Sequence, residues 1–354
     1  MFKFYKLIFF LTPTSLILAG DCALFRAFPK LQNQLAYKSL CDLPTPVTKL
    51  EKLENYLNHK QIYLKRDGLS GQIVDGVRQY GSNKVRKLEW LLADAIQQRA
   101  HTVMTYGCTG SNHALATAWY SKACGLKSIL MLTPQPYGEL VLQNLLTDLS
   151  LGAQVKYFLN RPARDLAAQA ILTQDAGIYF IPTGGSNEIG TIGYVNAMLE
   201  LCEQVVEQVL PMPSLIYVPI GSFGTVTGLL LGAALKKLDL KIVAVAIEPE
   251  PYPDYFRQQI TSLFARTNQF LHAKNHDIGL VDFLGEQLII INQFASHQYG
   301  QWMQQDYNTI NVMANLENIK LEGTYSSKPF NAVINDASKR QGQTILLWET
   351  YCQN

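Results

Sequence analysis

A lysine near the start of a helix is the first residue of this chain whose surroundings favour chemistry. Lys84 follows a turn of small residues, and the apolar residues behind it recur at helical spacing: Leu88, Leu91, Leu92 and Ile96. This spacing predicts an amphipathic helix with one buried face, and Ser82 or Asn83 is suited to cap its first turn. The positive end of a helix favours the neutral amine of Lys84, which is the nucleophile that forms Schiff bases. Taken by itself, the stretch fits a solvated surface lysine better.

A second group of residues suited to binding a ligand lies between a predicted strand and a predicted helix, at residues 106–113. Small residues there let the backbone approach a ligand at a helix N-terminus, where free N–H groups attract carboxylates. Ser111 and Asn112 add side-chain donors. An ordinary helix cap explains one of these residues but not the whole run, whereas His113 alone fits a packed histidine better than a catalyst.

A glycine-rich loop at residues 219–228 joins a predicted strand to a predicted helix. Its central residues are suited to cradling a phosphate through backbone N–H groups and hydroxyls: Gly221, Ser222, Phe223, Gly224 and Thr225. The loop matches neither the Walker sequence nor the dinucleotide fingerprint. By itself it fits a phosphate site and a plain tight turn about equally well.

Two tyrosines stand in turn-like settings late in the chain. Tyr299 precedes a glycine, and Tyr325 precedes Ser326, Ser327 and Lys328. Tyrosine is most often a half-buried packing residue. Alone, this pattern is therefore no argument for catalysis.

The elements that must position these residues alternate along the chain. Apolar strand patterns and helix patterns follow one another from residue 102 to residue 247, with further strands at 288–291 and 344–348. This alternation predicts an α/β fold whose parallel-rich, twisted sheets are flanked by helices on both faces. Residues 251–282 show little periodicity, so the sequence defines their structure least.

Composition excludes several classes of function. The chain has 354 residues, of which 48% are hydrophobic and 16% charged, and its formal net charge is +2. That describes a neutral globular protein of cytoplasmic type with no charged block for nucleic acid. The cysteines show no metal-ligand spacing, so we expect no metal site and reduced, mostly buried thiols at Cys22, Cys41, Cys108, Cys124, Cys202 and Cys352.

The first 23 residues form a hydrophobic N-terminal extension. Lys3 and Lys6 precede an apolar run over residues 7–19, which Thr12 to Ser15 interrupt. The shape is roughly that of a signal peptide, which leaves export possible, but no good small-residue cleavage site follows. We therefore favour an extension that is not cleaved. The run is too short and too interrupted to span a membrane.

Taken together, these motifs resemble one family. The chain carries, in order, an Asn-Lys-x-Arg-Lys-Leu-Glu motif at 83–89, a Ser-Asn-His motif at 111–113, the glycine loop and a late Tyr-Ser pair. They resemble the fold-type II (tryptophan synthase β-like) pyridoxal-phosphate enzymes, and within them the branch of D-cysteine desulfhydrase and 1-aminocyclopropane-1-carboxylate (ACC) deaminase. The likeness covers roughly residues 43–350, and the first two motifs are its specific parts.

The resemblance implies a role for each candidate residue. Lys84 would be the Schiff-base lysine and the proton carrier at the substrate α-carbon. Asn112 would reach the ring hydroxyl of the cofactor, and Ser326 would face its pyridine nitrogen. The remaining cofactor contacts would come from Asn83, Lys87 and the glycine loop, Gly221 to Thr225. The other catalytic residues would be Ser111, Tyr299 and Tyr325, and the substrate would contact Ser111, Asn112, His113 and Thr350.

The resemblance also implies an architecture. A large cofactor-binding domain would comprise residues 24–86 and 197–354, and a small domain would comprise residues 87–196. Pyridoxal 5'-phosphate would lie in the cleft between them, because ligand sites favour domain interfaces. The implied partners are a small amino-acid substrate and a second copy of the chain in a homodimer.

Two residues favour the desulfhydrase activity, which is β-elimination from a small D-amino acid to pyruvate, ammonia and sulfide. In ACC deaminases, the residue at the position of Ser326 looks acidic. An acidic residue there keeps the pyridine ring protonated and makes it a strong electron sink. A neutral hydroxyl suits elimination of a good leaving group better than opening of a cyclopropane. Thr350 also matches the desulfhydrases. ACC deamination or racemisation of a D-amino acid is the alternative.

Departures on the substrate side leave a second alternative open. Gly110 replaces a glutamine, residues 114–115 replace Val-Arg, and residues 348–352 replace the expected His-Thr-Gly-Gly. The loss of polar groups that bond a substrate can change the specificity of an enzyme by several orders of magnitude. The second alternative is therefore a homologue that binds the ligand and has lost the chemistry.

Overall fold

The computed structural model describes residues 22–252 and 254–351. Within these residues, strands and helices alternate along most of the chain. The strands are β1 (Val47–Lys49), β2 (Ile62–Arg66), β3 (Ile73–Val74), β4 (Val77–Arg78), β5 (Thr102–Cys108), β6 (Lys127–Thr133), β7 (Gln154–Tyr157), β8 (Ile178–Ile181), β9 (Leu215–Ile220), β10 (Lys241–Ala246), β11 (Leu288–Ile291) and β12 (Ile345–Glu349). The helices are α1 (Ala23–Ala27), α2 (Glu51–Leu57), α3 (Asn83–Gln97), α4 (Asn112–Ala123), α5 (Glu139–Ser150), α6 (Arg161–Gln174), α7 (Glu188–Val206), α8 (Gly224–Leu235), α9 (Tyr255–Lys274), α10 (Gln304–Glu317) and α11 (Ser327–Asp336).

The larger sheet has six strands in the order β1-β2-β12-β9-β10-β11. β1 pairs with β2 antiparallel, and every other pair in this sheet is parallel. Side chains alternate along each strand, so Ile216 and Val218 of β9 face one buried cluster while Leu215 and Tyr217 face the other. Helices α7, α8 and α9 cover the first face, and α2, α10 and α11 cover the second. Burial on both faces explains why these strands are apolar throughout.

The smaller sheet has four parallel strands in the order β7-β6-β5-β8. On one face, Val103 and Leu130 pack beneath helices α3 and α4. On the other face, Met104 and Met131 pack against Ala168 of helix α6. The prediction of an α/β fold with parallel-rich sheets between layers of helices is confirmed.

The topology brings the candidate residues together at the carboxyl ends of parallel strands. Ser111 follows β5, the glycine loop follows β9, and Thr350 follows β12. In open parallel sheets this edge is where ligands bind, because the loops there converge.

Helix α3 has the buried face that the spacing predicts, with one difference. Leu88, Leu91 and Leu92 are fully buried, but Ile96 is 42% exposed. The stripe that starts at Leu88 is completed by Ala95, which is buried. Residues i, i+3, i+4 and i+7 share one face of a helix, so Ile96 lies one residue beyond that face.

Two helices differ from what the sequence indicated. The region of weak periodicity contains α9, whose buried residues recur at helical spacing: Phe256, Ile260, Leu263, Phe264, Thr267 and Leu271. Half-buried aromatic residues and exposed polar residues along the same helix hid this pattern. Helix α8 begins at Gly224, so the last residues of the glycine loop already belong to its first turn.

The last two residues of the predicted N-terminal extension, Cys22 and Ala23, pack against helix α7. Cys22 and Ala23 are buried, because the Cys22 thiol and the Leu24 N–H both bond Asn196 Oδ1 of helix α7. Residues 1–21 and Cys352 lie outside the described residues. Of the other thiols, Cys41 is buried, while Cys108, Cys124 and Cys202 are half-buried, so fewer are fully buried than we expected. In the part of the chain that the structure describes, the helices are too short or too polar to cross a bilayer.

Candidate active site

Lys84 lies in the first turn of helix α3 and is buried. The Ser82 hydroxyl caps the helix by accepting a hydrogen bond from the Lys84 N–H at 3.2 Å. The Lys84 side chain is 7% exposed, and burial lowers the pKa of its amine from 10.5 to about 8. Its Nζ lies 5.7 Å from the centroid of the Tyr325 ring. Lys84 is therefore no solvated surface lysine.

A buried ionic network fixes the helix that carries Lys84. The guanidinium of Arg86 donates to both carboxylate oxygens of Asp67 at 3.0 Å and to Glu200 at 2.9 Å. Lys65 pairs with the same Glu200, and all four side chains are buried. The four charges balance, and breaking such a buried pair costs about 3–5 kcal/mol because it leaves an unpaired charge. The network thus holds α3 against the strands of the larger sheet.

The glycine loop closes the other side of the site. Phe223 adopts a positive φ of 69°, and Gly224 begins helix α8. A Cβ on Gly224 would lie 2.8 Å from Lys87 Nζ and 2.7 Å from Ser186 Oγ, which is closer than real Cβ contacts. A side chain at residue 224 would therefore displace Lys87 Nζ or Ser186 from its present position.

Lys87 lies one turn after Lys84 and faces the glycine loop. Its Nζ donates to Ser186 Oγ at 2.9 Å and to the Gly184 carbonyl at 3.0 Å, and Ser186 Oγ donates to Ser222 Oγ at 2.9 Å. Burial, and then the nearby Lys84, hold the pKa of Lys87 well below its usual range. Among the described residues no carboxylate pairs with either lysine, so the electrostatics favour an anion here.

The sequence analysis missed the segment that supplies Ser186. Residues 183–186 connect strand β8 to helix α7, and both Gly184 and Gly185 adopt positive φ. A Gly-Gly-Ser run between a predicted strand and a predicted helix was the available signal. It resembles the glycine loop at 221–225, which it contacts.

The Ser-Asn-His motif begins helix α4, as predicted. Ser111 caps it by accepting a hydrogen bond from the Ala114 N–H at 3.2 Å, and Asn112 Oδ1 accepts one from Asn144 Nδ2 at 3.1 Å. His113 is buried, and its Nε2 lies 2.9 Å from Thr105 Oγ1. Burial holds the pKa of His113 well below its usual range, so it is neutral. These contacts match a packed histidine, and its substrate-binding role stays a prediction.

The two late tyrosines form a pair. The Tyr325 hydroxyl donates to the Tyr299 hydroxyl at 3.1 Å, and the ring centroids are 6.0 Å apart. Burial raises the pKa of both hydroxyls, so both are protonated at neutral pH. The pair can therefore supply a proton close to the amine of Lys84, which lies beside the Tyr325 ring.

Ser326 contacts the turn that follows β12, and Thr350 belongs to that turn. Ser326 Oγ donates to the Tyr351 carbonyl at 2.5 Å. The Thr350 carbonyl accepts a hydrogen bond from the Asn83 N–H at 2.8 Å, while its buried hydroxyl has no hydrogen-bond partner among the described residues. This turn is therefore tied directly to the residue before Lys84.

A cavity joins part of this set of residues. It is lined by Asn83, Lys84, Pro219, Ile220, Gly221, Ser222, Phe223, Thr225, Val226 and Tyr325. The other candidates reach it indirectly: Lys87 through Ser222 and Ser186, Tyr299 through Tyr325, and Thr350 through Asn83. Asn112 and His113 lie on α4 and Ser111 caps it, on the side of the smaller sheet.

Comparison with known proteins decides what kind of site this is. The sequence profile of the family described as "Pyridoxal-phosphate dependent enzyme" matches residues 38–347. The chain belongs to this family. It is a pyridoxal-phosphate-dependent enzyme of fold type II.

Relatives of this pyridoxal-phosphate enzyme carry two names. A Thermotoga maritima protein provisionally named as an ACC deaminase is 31% identical over 298 residues, covering 82% of this chain and 88% of its own. A D-cysteine desulfhydrase of Serratia proteamaculans is 30% identical over 325 residues, covering 88% and 92%. A crystal structure of an ACC deaminase homologue has a TM-score of 0.76 at 26% identity, covering 92% and 94%. A threonine deaminase structure shares the fold, with a TM-score of 0.61 at 18% identity.

The residues present fit pyridoxal phosphate. Two buried amines without a carboxylate partner, Lys84 and Lys87, stand beside a glycine loop at the N-terminus of α8. A phosphate group supplies the missing negative charge, and free N–H groups at a helix N-terminus bind phosphates. The unpartnered hydroxyl of Thr350 leaves a further polar group to be satisfied.

Proposed function

We propose that this enzyme is a lyase of the D-cysteine desulfhydrase type. It removes a β-leaving group from a small amino acid, of D configuration, and the products from D-cysteine are pyruvate, ammonia and sulfide. The observation that carries the proposal is the buried amine of Lys84 between the phosphate-binding loop and the Tyr325–Tyr299 pair.

In this proposal the cofactor is held at two places. Lys84 Nζ would hold it through its aldehyde group, and the loop from Gly221 to Thr225, with Lys87 and Ser186 behind it, would hold its phosphate. When bound, the cofactor supplies an electron-withdrawing ring that acidifies the α-proton of an attached amino acid. The contacts expected of Asn83, Asn112 and Ser326 with the cofactor belong to the same proposal.

Lys84 is the base that takes the α-proton. A general base works best when its pKa is close to the operating pH, because it is then largely deprotonated yet still basic. The pKa of about 8 at Lys84 meets this condition, whereas an exposed lysine would stay protonated. Among the described residues, no other amine lines the cavity.

The tyrosine pair assists the leaving group. As the bond between the β-carbon and sulfur breaks, the sulfur carries the electron pair away and takes a proton. Tyr325 lines the cavity and Tyr299 backs it through a hydrogen bond, so this pair can donate that proton. The α-proton goes to Lys84, so one proton is accepted and one donated in each elimination.

ACC deamination is the second candidate, because named relatives of similar identity carry that activity in their names. The neutral hydroxyl of Ser326 favours elimination over ring opening. Racemisation of a D-amino acid needs only proton transfer at the α-carbon and is tested in the same assay. Loss of the chemistry, with binding retained, is the remaining alternative.

A product assay separates these candidates. We expect purified protein to absorb visible light through its bound cofactor, and to release pyruvate and sulfide from D-cysteine. Lys84→Ala should lose both the band and the turnover. Release of α-ketobutyrate from ACC with no sulfide from D-cysteine would assign the enzyme to the deaminases. A visible band without product from either substrate, or from a panel of D-amino acids, would indicate a binding homologue.

We also propose the division into a large unit, residues 24–86 and 197–354, and a small one, residues 87–196. The six-stranded sheet draws its strands from the first set and the four-stranded sheet from the second, which supports the division. A homodimer is part of the proposal. Light scattering on a sizing column tests it, and a mass of one chain would contradict it.

A further inference from the structure

The turn that precedes Ser111 is held from outside by two amide side chains. Gly110 donates its N–H to Gln135 Oε1 at 2.9 Å, and its carbonyl accepts a hydrogen bond from Asn144 Nδ2 at 2.9 Å. Gln135 lies between strand β6 and helix α5, and Asn144 lies on α5. Both backbone groups of Gly110 are thus fixed, so this turn has a defined position.

The absence of a side chain at residue 110 creates the space that Gln135 occupies. A Cβ on Gly110 would lie 2.9 Å from Gln135 Nε2 and 2.8 Å from Val141 Cγ2. Both distances are shorter than real Cβ contacts, so a larger residue would displace Gln135 or Val141. The position of the Gln135 side chain therefore depends on the glycine at residue 110.

The same amide reaches a second turn, on the side of the larger sheet. A Cβ on Gly300 would lie 2.8 Å from Gln135 Nε2, and Gly300 has a positive φ of 79°. Gly300 directly follows Tyr299, one member of the tyrosine pair. Gln135 consequently stands between the turn that carries Ser111 and the turn that carries Tyr299.

The hydrogen bond to Gly110 determines which end of the amide faces that space. A backbone N–H can be paired only by the amide oxygen, so this hydrogen bond identifies Oε1, and Nε2 is the atom that lies between Gly110 and Gly300. Gln135 is half-buried, and its Nε2 has no acceptor among the residues that the structure describes. A donor without an acceptor, beside a helix N-terminus, is complementary to an anion such as a carboxylate.

We propose that Gln135 is a specificity-determining residue whose Nε2 donates a hydrogen bond to the carboxylate of the amino-acid substrate. This rests on the proposed function only in so far as the enzyme binds an amino acid in the cleft. The residue belongs to an element that carries none of the other candidate site residues, and Gly110 makes room for it. It selects amino acids over amines that lack the carboxylate.

The test replaces the donor without disturbing the turn. Gln135→Glu keeps the shape of the side chain and an oxygen to accept from the Gly110 N–H, but it turns the donor into a negatively charged acceptor. Gln154→Glu, at an exposed position of β7, adds the same charge away from the site and is the control. We measure the visible spectrum of the holoenzyme, its melting temperature, KM and kcat for D-cysteine, and the dissociation constant of D-alanine from spectral titration.

We expect Gln135→Glu to raise KM and the dissociation constant of D-alanine at least about tenfold, which corresponds to one lost charge-assisted contact. The spectrum, the melting temperature and kcat should change little, and the control should match the wild type. A residue that only holds the turn would instead lower the melting temperature of Gln135→Ala and leave D-alanine binding to Gln135→Glu unchanged. Unchanged binding in Gln135→Glu overturns the proposal.

A double-mutant cycle tests the link to Gly110. Gly110→Ala should displace Gln135 and weaken D-alanine binding, and it should add nothing in the Gln135→Ala background, because the two substitutions remove the same contact. Full additivity would contradict the link. If D-alanine binds the wild type but D-cysteine is not turned over, the proposed function fails and this proposal is still tested. If D-alanine leaves the wild-type spectrum unchanged, this proposal fails.

Discussion

Lys84 Nζ lies 5.7 Å from the centroid of the Tyr325 ring, and no carboxylate lies close enough to pair with it among the described residues. The face of an aromatic ring attracts a cation only weakly, by about 0.5–2 kcal/mol, and leaves the amine free to lose its proton. A salt bridge would have raised the pKa of the amine and held it in one place. The Lys84 amine beside this ring can therefore lose its proton readily.

Tyr325→Phe tests whether the Tyr325 hydroxyl is the acid that protonates the leaving group. The ring beside Lys84 is retained, so the visible band of the bound cofactor should be unchanged. Loss of the hydroxyl removes the proton donor, and kcat for elimination from D-cysteine should fall by about 10²-fold or more. Tyr307→Phe, at an exposed position of helix α10, is the matched control. An unaltered kcat in Tyr325→Phe would mean that the leaving group needs no acid from this residue.

The stability of the cofactor-free protein should depend on pH because the amine of Lys84 is buried. Burial lowers the pKa of Lys84 from 10.5 to about 8, so the folded chain holds this proton less tightly than the unfolded chain. The ammonium form then costs stability below about pH 8, and the cost disappears as pH rises towards 10.5. Lys84→Met should raise the free energy of unfolding by about 2–3 kcal/mol at pH 7 and by little near pH 10.5.

Urea unfolding of the cofactor-free protein at several pH values measures this difference. Lys60→Met replaces an exposed lysine and serves as the control. A gain for Lys84→Met that does not shrink with pH would reflect better packing and would contradict a desolvated amine.

The buried carboxyl of Glu349 should make stability depend on pH in the opposite direction. Burial raises the pKa of this carboxyl from 4.5 to about 7, although Arg66 Nε lies 3.6 Å away, and neither oxygen has a hydrogen-bond partner in the described chain. The folded protein holds the proton more tightly, so stability falls as pH rises from 4.5 to 7. Glu349→Gln should stabilise the protein by about 1–3 kcal/mol at pH 8 and hardly at pH 4.5. Equal gains at both pH values would show that the carboxylate is not desolvated.

Asp67→Asn tests the network that holds helix α3. Asp67 accepts hydrogen bonds from Arg86, Thr45, Tyr194 and Trp348. Neutralising it leaves the Arg86 charge only partly compensated, so we expect a loss of about 3–5 kcal/mol in urea unfolding. Asp42→Asn breaks the exposed pair with Arg78 and should cost no more than about 1 kcal/mol. Similar losses for both variants would show that the buried network contributes no more than a surface pair.

The sequence predicted those parts of the site that depend on local pattern. Lys84 at a capped helix start and the glycine loop after β9 follow from residues next to one another in the chain, and both lie at the same cavity. The alternation of strands and helices predicted the fold for the same reason, since strand and helix periods differ. Leu88, Leu91 and Leu92 were predicted to be buried because they share one helix face.

Contacts between distant segments could not be predicted. Lys87 meets Ser186, and Gln135 stands between Gly110 and Gly300, only because the two sheets bring their loops together. Arg86 was assigned to the motif without its partners, because Asp67 and Glu200 lie on other elements. The segment 183–186 was missed because a Gly-Gly-Ser run is equally typical of an ordinary turn.

The covalent attachment of the cofactor is the central claim, and borohydride reduction tests it most directly. Reduction of the holoenzyme makes the bond between the cofactor and its lysine permanent, and mass spectrometry of the digested protein then locates the modified residue. We predict one phosphopyridoxyl group per chain, on the Nζ of Lys84. A group on Lys87 or on any other lysine, or none at all, would contradict the account.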